Sequence, residues 1–211
     1  MAVISRDTFS NGANWDDIEE RQGELGATWT KHQATPGGRF YVFDGKVHCG
    51  QISAGTGALF YTNAVPSNAN YKVGCNYTMK TNIGHVGIAG RIQTGSHNYY
   101  YTYYDPSNVL VLALRTPSGV TILDNSNAGT ITVGQTVLLE LDMNGTTIRS
   151  LVDGVQIYSV TNSGITLAGR GGVRSATTNN ANTGKHIDDF TITDGSSARA
   201  TARTRIIMSG L

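Results

Sequence analysis

From Val3 onward the chain reads as short segments in which every second position is apolar, separated by Gly, Asn, Asp and Ser. That is the signature of half-buried strands joined by turns. The pattern predicts strands over Val3–Phe9, Thr28–His32, Arg39–Phe43, Lys46–Gln51, Ala58–Asn63, Tyr71–Lys80, His85–Ile92 and Asn98–Tyr104. It continues with Val109–Thr116, Val120–Asn125, Thr136–Met143, Thr147–Val152, Val155–Val160, Gly171–Ala176 and His186–Thr193. Asp44-Gly45, Asn144-Gly145 and Asp153-Gly154 fall between such segments. Asp-Gly and Asn-Gly supply the positive φ that tight hairpins need, so sequential strands are expected to pair antiparallel. Helical spacing is confined to Asp16–Leu25, which is acidic and broken by Gly23. Turn signals at this frequency predict an all-β sandwich or barrel. Asp7-x-Phe9 and Asp189-Phe190-x-Ile192 alternate alike, so the first and last strands could pair and cover each other's edges.

Composition narrows the class. The 211 residues are 39% hydrophobic and 15% charged, with a formal net charge of +1, whereas disordered chains combine high net charge with few aromatics. The length suits one domain over residues 1–194. Residues 195–211 differ: Arg199, Arg203 and Arg205 with no acid, then Ile206, Ile207 and Met208. They read as a C-terminal attachment arm, with those six residues as its contacts. Basic residues are otherwise scattered, so no nucleic-acid partner is expected. No apolar stretch is long enough to span a bilayer, so no membrane insertion is expected. The N-terminus lacks the apolar core of a signal peptide, which predicts synthesis in a host cytoplasm. Cys49 and Cys75 follow no metal spacing and read as buried free thiols.

The ordered set of motifs carries a resemblance. Asp7-x-Phe9 precedes Gly23-Glu24-Leu25-Gly26-Ala27-Thr28-Trp29 and Phe43-Asp44-Gly45-Lys46-Val47. Gly87-Ile88-Ala89-Gly90-Arg91-Ile92-Gln93, Asn98-Tyr99-Tyr100 and Leu139-Glu140-Leu141-Asp142-Met143-Asn144-Gly145 follow. Val152-Asp153-Gly154-Val155, Arg170-Gly171-Gly172-Val173 and Ile187-Asp188-Asp189-Phe190 complete it. In kind and order these resemble the concanavalin A-like lectin/glucanase superfamily, specifically the laminin-G-like jelly rolls of bacteria and their phages. The resemblance covers residues 4–193. It implies two curved antiparallel sheets, with Trp29 in the core. Fold does not settle function, because the superfamily holds binding modules, glycosidases and structural proteins.

Glycoside hydrolysis requires two carboxylates flanking the bond. The superfamily's enzymes carry Glu-x-Asp-x-x-Glu on one strand. Glu140-Leu141-Asp142-Met143-Asn144-Gly145 lacks the second Glu, so no catalytic residue is assigned and no enzyme is expected. Glu140 and Asp142 read as a solvated strand face. The histidines are scattered, and the loop aspartates Asp105, Asp124, Asp188 and Asp189 form no recognisable calcium loop. No metal or cofactor is expected.

The strongest local feature is Asn98-Tyr99-Tyr100-Tyr101-Thr102-Tyr103-Tyr104. On a strand, Tyr99, Tyr101 and Tyr103 share one face, and Tyr100 and Tyr104 the other. One set is expected between the sheets and the other on an outer stripe. A glycan site would draw on Arg91, Gln93, His97, Asn98, Tyr99, Tyr101 and Tyr103. The alternative is a tyrosine face covered by a loop or a protein partner.

Together these readings favour a non-enzymatic structural protein of a phage virion, decorating a capsid or tail and displaying a lectin-like face. Its expected partners are other virion proteins, copies of itself and cell-surface glycans. A free carbohydrate-binding module of a bacterial polysaccharide system and a glycosidase relative are the alternatives.

Overall fold

In the computed structural model, which describes residues 2–10, 16–126, 130–179 and 183–195, the period-2 pattern becomes sixteen strands. In chain order they are β1 (Ala2–Asp7), β2 (Asp16–Asp17), β3 (Trp29–Lys31), β4 (Arg39–Phe43), β5 (Lys46–Gln51), β6 (Ala58–Thr62), β7 (Tyr71–Met79) and β8 (Val86–Gln93). They continue as β9 (Asn98–Tyr104), β10 (Leu110–Thr116), β11 (Gly119–Asp124), β12 (Thr136–Asn144), β13 (Thr147–Val152), β14 (Val155–Thr161), β15 (Arg170–Ser175) and β16 (Lys185–Asp194). One sheet runs β14-β13-β12-β7-β16-β5-β4-β2, with β1 also on β16; the other runs β11-β10-β9-β8-β15-β6-β3. The arm residues Arg199, Arg203, Arg205, Ile206, Ile207 and Met208 lie outside the described residues.

Local chemistry sets the turns. Asp44 and Gly45 have φ of 51° and 67°, and Asp153 and Gly154 have 51° and 77°, the two successive positive values of a type I′ hairpin turn. The inner faces of the two sheets interdigitate through Phe9, Trp29, Phe40, Phe60, Tyr77 and Phe190, all buried. The terminal strands close the fold: Asp7 stands opposite Phe190 in the β1–β16 register. Trp29 is in the core, and both cysteines are free and buried; burial pushes the Cys49 thiol up to about 12.

The helical spacing of Asp16–Leu25 produces only one 3-10 turn, Ile18–Glu20. Arg21 is pulled out of helical geometry to meet buried Asp7. Gly23 packs so closely that an added Cβ would lie 2.6 Å from Ala27 Cβ.

Candidate functional site

Pleating separates the tyrosines of β9 into the two expected sets. Tyr100 and Tyr104 join the core between the sheets. Tyr99, Tyr101 and Tyr103 face outward from the seven-stranded sheet, where they form a second apolar cluster with Leu59, Ala89, Ile92, Val111 and Ala113. Their rings stack along the strand, with centroids 5.5 Å apart between Tyr99 and Tyr101 and 5.3 Å between Tyr101 and Tyr103. His97 extends the ladder at one end and His85 at the other.

This outer stripe is not solvent-facing, which corrects the expectation that it presents an open platform. Tyr99, Tyr101 and Tyr103 are 0%, 2% and 8% exposed. Register supplies the reason. Across the sheet Tyr101 stands beside Ala89, Ala89 beside Gly172, and Gly172 beside Tyr61. A Cβ on Gly172 would run into the carbonyl of Phe60. Arg174 occupies the space above these small residues. Its guanidinium lies 4.6 Å from the Tyr101 ring centroid, and its Nε donates to Tyr99 Oη at 3.2 Å. The tyrosines therefore pack against and support neighbouring side chains.

Arg91 is also corrected. It does not join the outer tyrosines. Its φ is 49°, and the β8–β9 register shifts between Gly90 and Gln93. This irregularity turns the side chain under the sheet. There it is fully buried and donates to the carbonyls of Ala69 at 3.1 Å, Ile165 at 2.6 Å and Gly145 at 2.7 Å. The Tyr71 hydroxyl accepts from its backbone N–H. Arg91 is a clamp that fixes the connection between β14 and β15 against the β8 end of the sandwich.

Beyond that clamp the structure brings two predicted residues together. Gln93 and Asn98 stand opposite each other at the mouth of the β8–β9 hairpin. Gln93 Nε2 donates to the carbonyls of Arg91 at 3.1 Å and Ala168 at 3.2 Å, which orients the amide. Asn98 Nδ2 donates to Ser96 Oγ at 3.0 Å. His97, in the turn between them, stacks on His32 with centroids 5.8 Å apart. His32 Nδ1 accepts from the Ala34 N–H, so its Nε2–H donates to the Gln93 carbonyl at 3.0 Å.

Two clefts open beside this tip. One, of about 320 Å³, is lined by Gln93, Ser96, Asn98, Gly164, Ile165, Thr166 and Leu167. The other, of about 170 Å³, is lined by Val65, Ile92, Gln93, Thr94, Ala168, Gly169 and Arg170. Gln93 belongs to both. Each cleft has an apolar lip, Leu167 at 69% and Val65 at 64% exposure. Amides, hydroxyls and aliphatic edges on a rigid rim can hold a polyhydroxylated ring by hydrogen bonds and C–H contact. Sequence reading missed Ser96, Thr166, Leu167, Val65 and Arg170. Ser96, Thr166, Leu167 and Val65 sit outside the strands, so periodicity carries no signal for them.

The nearest approach to a catalytic motif is elsewhere. Glu140 pairs with Lys72 at 3.0 Å and Asp142 with Arg149 at 3.1 Å, on the outer side of the nine-stranded sheet. The loop aspartates have local roles: Asp105 accepts from the N–H groups of Ser107 and Val109, Asp188 pairs with Lys46, and Asp189 accepts from Asn76. Among the described residues no cluster of three His, Cys, Asp or Glu could hold a metal ion.

Two imidazoles make the fold acid-sensitive. Burial, then Arg115, His32 and Arg174, lowers His97 to about 4. Burial, then Lys80, lowers His48 to about 4, against an opposing hydrogen bond from its ring N–H to the Tyr41 backbone. Both lie below the unfolded value of about 6.5, so the unfolded chain binds more protons between those limits. Their stabilisation is complete above about pH 6.5 and is lost as pH falls through about 4. Together they are worth at most about 7 kcal/mol, and loss of half of that lowers Tm by roughly 10 °C on acidification. Scanning calorimetry from pH 7 to pH 4 should show the drop, and His48→Gln with His97→Gln should flatten it. A Tm equally pH-dependent in the double variant would refute this assignment.

No family model matches the chain, and no curated protein matches it. Solved structures do. A Bacillus subtilis protein of unknown function with a galectin-like fold superposes with a TM-score of 0.59 at 14% identity, covering 92% of this chain and 96% of that one. A Bacillus licheniformis β-glucanase gives 0.55 at 12%, covering 88% and 100%. The carbohydrate-binding module CBM66 of Bacillus subtilis gives 0.51 at 12%, covering 87% and 92%. At such identities the likeness carries the fold alone: a galectin-like jelly-roll sandwich of two antiparallel sheets.

Proposed function

We propose that this chain is a non-catalytic carbohydrate-binding module whose sugar lies in the paired clefts about Gln93. The observation that carries the reading is the shared rim. Gln93 and Asn98 present fixed amides, Ser96 and Thr166 add hydroxyls, and Leu167 and Val65 offer aliphatic edges. Among the described residues no carboxylate lines either cleft, whereas glycosidic hydrolysis needs two. The similar structures include both a carbohydrate-binding module and a β-glucanase, and the composition of the clefts favours the former. Binding by the full chain on a glycan array, followed by titration of the best hit, tests it. Gln93→Ala and Asn98→Ala are each expected to weaken binding about tenfold, roughly 1.4 kcal/mol. Glu140→Gln should change nothing, and no reducing ends should be released. Binding indifferent to both cleft substitutions, or turnover lost in Glu140→Gln, would overturn the reading.

Carriage on a phage particle is the finer part of the same proposal. It rests on the resemblance to phage jelly rolls and on the arginine-rich, then apolar, composition of residues 195–211. Absence of the chain from purified particles would remove that part.

A further inference from the structure

Charge is divided unequally between the two sheets. Strands of the nine-stranded sheet carry eight carboxylates and six cations, four of which are matched: Arg39 with Asp17, Lys46 with Asp188, Lys72 with Glu140 and Arg149 with Asp142, while buried Lys185 donates to carbonyls. Strands of the seven-stranded sheet carry Lys31, Arg91, Arg115, Arg170 and Arg174 against the single acid Asp124. Lys31 pairs with Glu19 at 2.8 Å. Among the described residues, none of the four arginines has a carboxylate within ion-pair distance.

Two of the four are consumed internally. Arg91 is spent on carbonyls, and Arg174 lies buried against the tyrosines. Their charge remains uncompensated and adds to the local potential. Arg115 is half-buried beside Tyr99, and its Nε is buried with no hydrogen-bond partner among the described residues. Arg170 lines the smaller cleft beside Gln93, with one N–H committed to the carbonyl of Asn63. A cleft with low-dielectric walls and charge of one sign concentrates that potential at its mouth. The planar fork of an arginine matches a carboxylate or sulfate in two-pronged geometry.

We propose that the ligand is an anionic saccharide whose carboxylate or sulfate ester is received by Arg170 in the smaller cleft, while its hydroxyls meet Gln93, Ser96 and Asn98. This deepens the carbohydrate reading and rests on it. Uronates and sulfated sugars share the chemistry, and the experiment separates them.

The full chain is titrated with three oligosaccharides of equal length: an oligogalacturonate, a heparin-derived oligosaccharide and a neutral laminari-oligosaccharide. At least one anionic probe is expected to bind about tenfold more tightly than the neutral one, and to weaken as salt is raised. Arg170→Gln should lose about tenfold on that probe alone. Arg170→Lys should retain part of the affinity, with melting curves confirming that both variants fold. Equal affinity for the neutral probe, or an anionic affinity untouched by Arg170→Gln, overturns the inference and leaves the carbohydrate reading standing. Equal binding of duplex DNA would mark an unselective cationic surface and also overturn it. Failure of every saccharide to bind overturns both.

Discussion

Replacing Arg91 with Met should lower stability by about 3–5 kcal/mol. The guanidinium is fully buried and satisfies the carbonyls of Ala69, Ile165 and Gly145 from three separate connections. Met fills similar space but returns no hydrogen bond, so each carbonyl loses a charged donor without regaining water. For a chain of this size the loss corresponds to a fall in Tm of roughly 10 °C. Arg91→Lys keeps the charge but cannot span three acceptors in one plane, so it should fall between wild type and Met. The Ile165 contact ties Arg91 to the floor of the larger cleft. The Met variant should therefore also weaken sugar binding at temperatures where it remains folded. A denaturant titration in which Arg91→Met is as stable as wild type would refute the clamp.

Asp7→Ala is expected to have an effect of similar size. The buried Asp7 carboxylate accepts from the Phe9 N–H at 2.8 Å, Trp29 Nε1 at 2.8 Å and Arg21 Nη2 at 3.2 Å. Phe9 has a φ of 53°, a conformation that bulky residues avoid, and the Asp7 bond helps hold it there. Truncation to Ala leaves Arg21 as a buried charge with no anion and the indole N–H with no acceptor. Removing one partner of such a pair costs about 3–5 kcal/mol. Adding Arg21→Met to Asp7→Ala should recover part of the loss, because the stranded charge is then gone. Chemical denaturation of the two single variants and the double variant measures the coupling. Additive losses would show that Asp7 acts through Trp29 and Phe9 alone.

Nearly every strand was legible as written. Arg39–Phe43, Lys46–Gln51, Asn98–Tyr104 and Thr147–Val152 have the bounds that alternation predicts. The reason is that side chains on a strand alternate between two faces, and a sandwich buries one face of each sheet. The Asp-Gly turns were legible because few residues tolerate two successive positive φ values. The division of the tyrosines, Tyr100 and Tyr104 inward and Tyr99, Tyr101 and Tyr103 outward, followed from the same period.

Exposure did not follow. Whether an outward tyrosine meets water depends on its neighbours across the sheet, and cross-strand register is a tertiary fact. Here it sets Ala89 and Gly172 beside Tyr101 and leaves room for Arg174 to cover the rings. Arg91 was misplaced for a related reason. A single positive φ at a bulge reverses the face on which a side chain emerges, and Gly90-Arg91-Ile92 carries no sign of it. The clefts were invisible because they join the 162–169 connection to a hairpin tip some 70 positions earlier in the chain. The sequence by itself determined the strands and the turns, since these depend on local periodicity and torsional preference. Only the tertiary structure decided which polar groups share a cleft and which arginines lack a carboxylate, since those depend on distances between segments far apart in the chain.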